Sequence, residues 1–390
     1  AVAQAPPLSP QAQISLLTSS PIDDEVYTLY GHSALRVYDP EAKTDVVFNY
    51  GIFDFSRPNF IYRFAKGETD YKVGAYNFSY YLVEYIERGS EICEQVLNLL
   101  PEEKESLWQA LVLNEQPENR VYRYNFFFDN CATRPAVMIE NSIRGSIKYP
   151  ASHGDNPSTK GLPPAEQSTF RDAINFCTRN HPWITFGCDL VLGAPTDRAM
   201  TLKETFFLPE YLRRTFDKAR IERDGTTQPL VIRTNILAEE TRTPAQSPPF
   251  PTTPLACFSF VFIILLYFTL REWRKKTYYR WLDILLFFSA GIAGCVLFFL
   301  SFISVHPSIF PNISLLWLHP FHLAGIVFFS VKKFNKLAFW YHFINFATIF
   351  GMSMAWIFVT QHFNTAFTPL IASLWLRSGW ALLRKKLSVE

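Results

Sequence analysis

The chain has 390 residues, with 37 Lys and Arg against 35 Asp and Glu, a formal net charge of +2. That length holds two domains or more, and the near-neutral balance, with no broad basic stripe in the first half, argues against nucleic acid as a partner. Up to about residue 250 charges are spread throughout, whereas from Leu255 onward long runs of Phe, Leu, Ile and Trp dominate. This is the pattern of a soluble domain followed by a membrane domain.

Residues 1–12 are rich in Pro, Ala and Gln and read as extended. The start Ala1-Val2-Ala3-Gln4, without Met, reads either as a mature N-terminus left by signal cleavage or as a trimmed one. Ile14–Leu17 is a candidate strand, and Ser20-Pro21-Ile22-Asp23-Asp24 a turn. His32–Tyr38 and Asp45–Phe53 alternate in polarity on either side of Asp39-Pro40-Glu41-Ala42-Lys43, the pattern of a β-hairpin. With the turn centred near residues 41–42, Asn49 falls diagonally opposite His32 on the same face. Phe60–Lys66 reads as a helical turn ending at Gly67, then Tyr71–Ser79 as strand and Tyr80–Glu87 as helix. Pro101 with acidic residues after it, ahead of Leu107, Trp108, Leu111 and Val112, marks a helix start. Val121–Phe128 is strand-like and stops at Asp129-Asn130-Cys131.

Beyond Cys131 the pattern turns helical, with Ala136, Val137 and Ile139 on one side and Glu140 and Asn141 on the other. Pro135 suits a first turn, so the helix should begin within a residue or two of Cys131. A thiol placed there meets backbone N–H groups and the positive end of the helix dipole, both of which favour thiolate. A nucleophilic thiolate needs a base, and His32, at the head of its strand, is the candidate, with Asn49 first choice to orient the imidazole and Asp45 and Asp54 behind it. Taken singly, an apolar-context Cys is more often a small buried hydrophobe and a Gly-His before a strand more often a turn. The pairing rests on their joint context.

Residues 149–164 form a long Pro/Gly/Ser/Asn loop, Ala165–Thr178 reads as a helix, 181–193 is mixed, and Thr201–Arg223 is largely helical apart from Pro209. Residues 226–254, with six prolines and no periodicity, read as a tether. The domain boundaries expected are therefore 1–225, 226–254 and 255–390. Five apolar spans follow near 255–270, 282–304, 312–331, 338–360 and 365–383. Basic residues cluster after the first (Arg271, Arg274, Lys275, Lys276, Arg280), third (Lys332, Lys333, Lys336) and fifth (Arg384, Lys385, Lys386). The positive-inside rule then puts those loops and the C-terminus in the cytoplasm and the first domain outside it. Cys177 and Cys188 are spaced so that a disulfide is possible, which would leave Cys93 as the only partner for Cys131 within that domain. His319, His322 and His342 fall in spans, where polar residues are costly. No CxxC, HExxH or Gly-rich phosphate loop is present, so no metal or cofactor is expected.

Four motifs in this order, Gly31-His32-Ser33-Ala34-Leu35-Arg36-Val37, Asn49-Tyr50-Gly51-Ile52-Phe53-Asp54-Phe55, Asp129-Asn130-Cys131-Ala132-Thr133-Arg134 and Gly187-Cys188-Asp189-Leu190-Val191-Leu192-Gly193, resemble the Lnb family of lipoprotein N-acyltransferases of Bacteroides-type bacteria. The resemblance covers roughly residues 12–220, and the apolar tail suits it. It implies an α+β permuted papain-like (NlpC-like) thiol domain followed by an all-α transmembrane domain of about five helices in the bacterial inner membrane. It further implies His32 as base and Cys131 as nucleophile, with Ser33, Tyr50, Asn130 and Arg134 as substrate-binding residues; Arg134 is open between lipid phosphate and a structural ion pair. The implied partners are a membrane phospholipid as acyl donor and a diacylglyceryl lipoprotein as acceptor. Three other readings stay open: a membrane-tethered cysteine peptidase or amidase, a phospholipase-like hydrolase, and a non-enzymatic envelope module with Cys131 buried or bridged.

Overall fold

A computed structural model describes residues 5–53, 59–68, 70–150, 168–243 and 245–387. The elements run β1 (Gln13–Ser19), β2 (His32–Asp39), β3 (Thr44–Phe53), α1 (Phe60–Lys66), β4 (Asp70–Asn77), α2 (Phe78–Glu87), β5 (Ile92–Leu97), α3 (Pro101–Glu115), β6 (Val121–Arg123) and α4 (Thr133–Ser142). They continue with β7 (Ser146–Lys148), α5 (Phe170–Thr178), α6 (Pro182–Val191), α7 (Pro209–Lys218), β8 (Arg220–Arg223), β9 (Thr226–Pro229) and β10 (Val231–Ala238). The described residues close with α8 (Pro254–Lys275), α9 (Arg280–Phe302), α10 (Phe321–Ser330), α11 (Asn335–Ala355) and α12 (Phe367–Leu387). Two units result, one of Ala1–Cys177 with Ala199–Ala245, the other of Thr178–Arg198 with Gln246–Glu390.

The first unit is α+β. Its main sheet has the order β10-β5-β1-β2-β3-β4-β6, with every neighbouring pair antiparallel. On one face Leu16, Leu35 and Phe48 meet Leu107 and Leu111 of α3, Ala136 and Ile139 of α4, and Leu212 and Phe216 of α7. On the other, Leu17, Ala34 and Val47 meet Phe78, Tyr81 and Tyr85 of α2. A second sheet, β7-β8-β9, is tied to α3 by a buried pair in which Arg223 Nε donates to Glu103 at 3.0 Å. The same Glu103 accepts from Leu100 N at 2.8 Å, so one carboxylate both caps α3 and anchors β8.

Several expectations are corrected. The aromatic run is a strand only over Val121–Arg123; Asn125 and Asp129 then bridge each other and the chain turns between them. Pro209 does not interrupt a helix but opens α7, where its missing N–H costs nothing, and Arg220–Arg223 is strand. The expected tether at 226–254 contains β9 and the sheet-edge strand β10; five of its six prolines lie at 244 or later, leaving 231–238 free to pair. Gly187–Gly193, expected in the N-terminal domain, belongs to the second unit. The Asp54 position and most of the 149–164 loop lie outside the described residues, as does the start of the 165–178 helix.

The second unit is helical. Among its described residues, Pro254–Lys275, Arg280–Phe302 and Ile313–Ser330 are long and apolar enough to cross a bilayer; α11 and α12, 21 residues each, carry more polar groups. Buried among α8, α9 and α12, Arg377 donates from Nε to Asp283 at 2.6 Å and from Nη1 to Glu272 at 2.7 Å and Thr269 at 2.8 Å. A fully buried cation is tolerable only with such partners. His322 bonds Trp317 O (3.0 Å) and Tyr341 (2.5 Å), and His342 bonds Ser378 (3.3 Å). At the end of α6, Asn312 Nδ2 donates to Leu190 O at 2.9 Å, Asn364 Nδ2 to Asp189 at 2.9 Å, and Gly193 N to Ser308 O at 2.9 Å. A Cβ on Gly193 would lie 2.3 Å from Ile309 O, so the close approach requires glycine there.

Candidate active site

The hairpin sets the first two groups. Ala34 pairs with Asn49 across β2 and β3, which places Asn49 beside His32 on one face. Asn49 Oδ1 lies 2.6 Å from His32 Nε2, and Asn49 Nδ2 donates to the Tyr76 hydroxyl of β4 at 2.8 Å. Tyr76 thus fixes the amide so that its oxygen faces the ring, which puts the proton on Nε2 and leaves Nδ1 for Cys131. Tyr85 of α2 stacks beside the imidazole at 6.2 Å. The entry into β2 needs Gly31, at φ 77°, because a Cβ there would meet Ser19 O at 2.9 Å.

Cys131 arrives on a loop built by two asparagines. Asn125 Oδ1 accepts from the N–H groups of Phe127 and Phe128, each at 3.1 Å. Asn130, 2% exposed, accepts from Ala132 N (2.8 Å) and Thr133 N (2.9 Å) and donates to Phe126 O (2.8 Å) and Phe207 O (2.7 Å). Helix α4 begins at Thr133, two residues past the thiol as its pattern suggests. The N–H groups that meet the sulfur are those of Ser33 and of Cys131 itself, because Asn130 occupies the helix-end donors. A break in β3 pairing between Asn49 and Ile52, at Gly51 with φ 89°, brings that backbone against the thiol; a Cβ on Gly51 would sit 3.6 Å from both Cys131 Cβ and the Tyr124 ring.

The electrostatics favour an ion pair. Burial pushes the Cys131 thiol up, but the His32 cation and the two N–H donors outweigh it and hold the thiol below its ordinary value. Burial pushes the His32 imidazole down, but the Cys131 thiolate, the Asn49 hydrogen bond and the Glu84 charge carry it above its ordinary value. The arrangement can therefore supply a thiolate nucleophile and an imidazolium proton donor from one pair.

The remaining residues singled out from sequence are placed as follows. Ser33 is buried, offers its N–H to the sulfur, and has no hydrogen-bond partner for its Oγ among the described residues. Tyr50 is fully buried and its hydroxyl donates to Asn114 Oδ1 at 3.0 Å. Arg134 pairs with Asp129 at 2.8 Å, lies over the Tyr122 ring at 3.6 Å, and lines a cleft of about 730 Å³ between α3 and α4. Asp45 is held by Arg36 at 2.8 Å and does not back Asn49. All four cysteines of residues 93–188 are thiols, so neither the Cys177–Cys188 bridge nor a Cys93–Cys131 bridge is formed. Sequence reasoning missed Tyr76 and Tyr85, whose only signal is their position in the strand and helix flanking the hairpin.

Fold and site together define a membrane protein whose N-terminal α+β unit carries a Cys–His–Asn constellation. The chain belongs to the Lnb family: residues 9–163 match the Lnb N-terminal periplasmic domain and residues 245–387 the Lnb transmembrane domain. No curated protein and no solved structure matches the chain.

Proposed function

We propose that the protein is a lipoprotein N-acyltransferase of the bacterial inner membrane, working through a Cys131 thioester. The observation that carries this is the Cys131–His32–Asn49 set in an Lnb periplasmic domain on a membrane-spanning unit. The Cys131 thiolate attacks an ester carbonyl carbon of a membrane phospholipid. The N–H groups of Ser33 and Cys131, beside the sulfur, receive the developing oxyanion. As the C–O bond breaks, the leaving alkoxide takes the proton from His32, giving a lysophospholipid and a thioester. The neutral α-amine of a diacylglyceryl N-terminal cysteine then attacks the thioester and gives its proton to His32 as the C–S bond breaks. An amide is formed, and the thiolate–imidazolium pair is regenerated.

In this reading Cys131 and His32 are catalytic, while Asn49 orients the imidazole. Tyr50 and Asn130, whose polar side-chain atoms are engaged inside the fold, position the β3 backbone and the Cys131 loop, and Arg134 holds Asp129. No step calls for a cofactor. The basic segments after the first, third and fifth helical spans orient the chain with the catalytic unit in the periplasm and the C-terminus in the cytoplasm.

The test is mass spectrometry of a reporter lipoprotein's N-terminal peptide, from cells lacking native N-acylation, expressing wild type or Cys131→Ala. A third acyl chain with wild type and none with the equally expressed variant supports the proposal. Acylation that persists in the variant removes Cys131 from the chemistry. A well-expressed wild type that releases free fatty acid without acylating the reporter makes the protein a hydrolase.

A further inference from the structure

Beside the nucleophile begins a ladder of aromatic rings. Tyr124, in reach of Gly51 and Cys131, stacks on Tyr71 with centroids 4.1 Å apart, and Tyr71 meets Phe53 at 4.3 Å. Phe53 in turn contacts Phe64 of α1 at 6.3 Å and Tyr27 at 5.8 Å. The ladder ends at the surface in two short segments, residues 26–27 and 61–64. There Ile61 is 84% exposed, Tyr62 and Tyr27 55%, Val26 51% and Phe64 45%. Five large apolar side chains exposed together are uncommon unless something covers them. The cations of the same helix are neutralised locally, Arg63 by Asp70 at 2.9 Å and Lys66 by Glu68, so the helix brings no unpaired cation to an apolar medium.

We infer that this lip is the surface that enters the lipid bilayer, and that the ring ladder behind it is the wall along which a phospholipid acyl chain reaches Cys131. Two observations select lipid over a protein partner. The chain is held at a bilayer by its own membrane-spanning unit, so lipid is always at hand. The ring contacts also run without a gap from the lip, through buried Tyr71, to Tyr124 beside Cys131. Tyr and Phe with an aliphatic tip and paired cations is the composition of a segment lying at a membrane interface. The chain-guiding role rests on the proposed acyl transfer; the membrane-entering role does not.

The test uses the full chain in phosphatidylethanolamine–phosphatidylglycerol vesicles with the photo-cross-linker p-benzoylphenylalanine in place of Ile61. Two positions calibrate it: Phe260, exposed on the membrane-spanning helix α8, and Ile232, 59% exposed on β10 at the far edge of the sheet. After irradiation, peptide mass spectrometry is expected to find lipid adducts at 61 as at 260, and roughly tenfold fewer at 232. Adducts at 260 with no excess at 61 over 232 overturn the proposal. A second readout is the double variant Ile61→Ser with Phe64→Ser, expected to raise the KM for phospholipid about tenfold or more with kcat held. Lipid adducts without acyl transfer by wild type would sink the acyltransferase reading and leave the membrane lip standing; normal transfer kinetics in the double variant would sink the chain-guiding role alone.

Discussion

Replacing Asn49 by Ala removes the acceptor on His32 Nε2, a 2.6 Å contact, and leaves the ring and Cys131 otherwise in place. A hydrogen bond to a charged group contributes about 1.5–3 kcal/mol. Losing it lowers the imidazolium pKa. The signs then follow. His32 is raised in the wild type, so its cation is present below that raised value and lost as pH climbs through it. Cys131 is depressed, so its thiolate is present above that lowered value and lost as pH falls through it. The ion pair lives between the two, and Asn49→Ala lowers the upper end, because the amide bonds the imidazolium and is no part of what depresses the thiol. The assay is the acyl-transfer rate against pH in the full chain. Its alkaline limb is expected to move down, and transfer near neutral pH to fall about 10–100-fold. An alkaline limb that stays put, with transfer within about twofold of wild type, would refute the reasoning that this amide holds the charge on the imidazole.

Tyr76→Phe frees the Asn49 amide to rotate, and its neutral hydrogen bond, about 0.5–1.5 kcal/mol, predicts a two- to tenfold loss in kcat with KM unchanged, read in the same transfer assay. Gly193→Ala drives a methyl into Ile309 O and Pro311 O and should cost about 1–3 kcal/mol, seen as a lower unfolding midpoint in detergent; Gly187→Ala, with open space around it, should be neutral or slightly stabilising. Arg377→Met strands Glu272 and Asp283 in the helical unit and should cost about 3–5 kcal/mol, with recovery when Glu272→Gln and Asp283→Asn are added. Failure of the triple variant to recover would mean that the cation matters for something other than neutralising those carboxylates.

Much of the hairpin was legible because a half-polar strand advertises its faces. The alternation in His32–Tyr38 and Asp45–Phe53, with the intervening turn chemistry, is enough to set Asn49 diagonally opposite His32. Helix α1 was legible from Gly67, which adopts the left-handed conformation that ends it. Strand β5 gave no such signal: all six of its residues are buried, so nothing alternates. Strand β10 was hidden for the opposite reason, as an edge strand with exposed Ile232 and Ile236 next to a proline-rich stretch. At the site the sequence named the side chains, but the donors beside the sulfur are backbone N–H groups of Ser33 and Cys131, which every residue carries. The helix-end donors expected to stabilise the thiolate were instead taken by Asn130, a neighbour whose rotamer no pattern predicts.

The chain passes between its two units at three places, after residues 177, 198 and 245, because Thr178–Arg198 folds with the membrane helices while Ala199–Ala245 returns to the sheet. Evolution therefore cannot trade the sheet unit for another by recombining at a single junction, and a protease that cuts only at the proline-rich stretch leaves the two units joined. A soluble product made by stopping at residue 245 would carry α6 with Phe186 and Leu190 stripped of the helical core they pack against, inviting aggregation. An exchange of the helical unit between relatives therefore has to carry the interposed segment along with the helices.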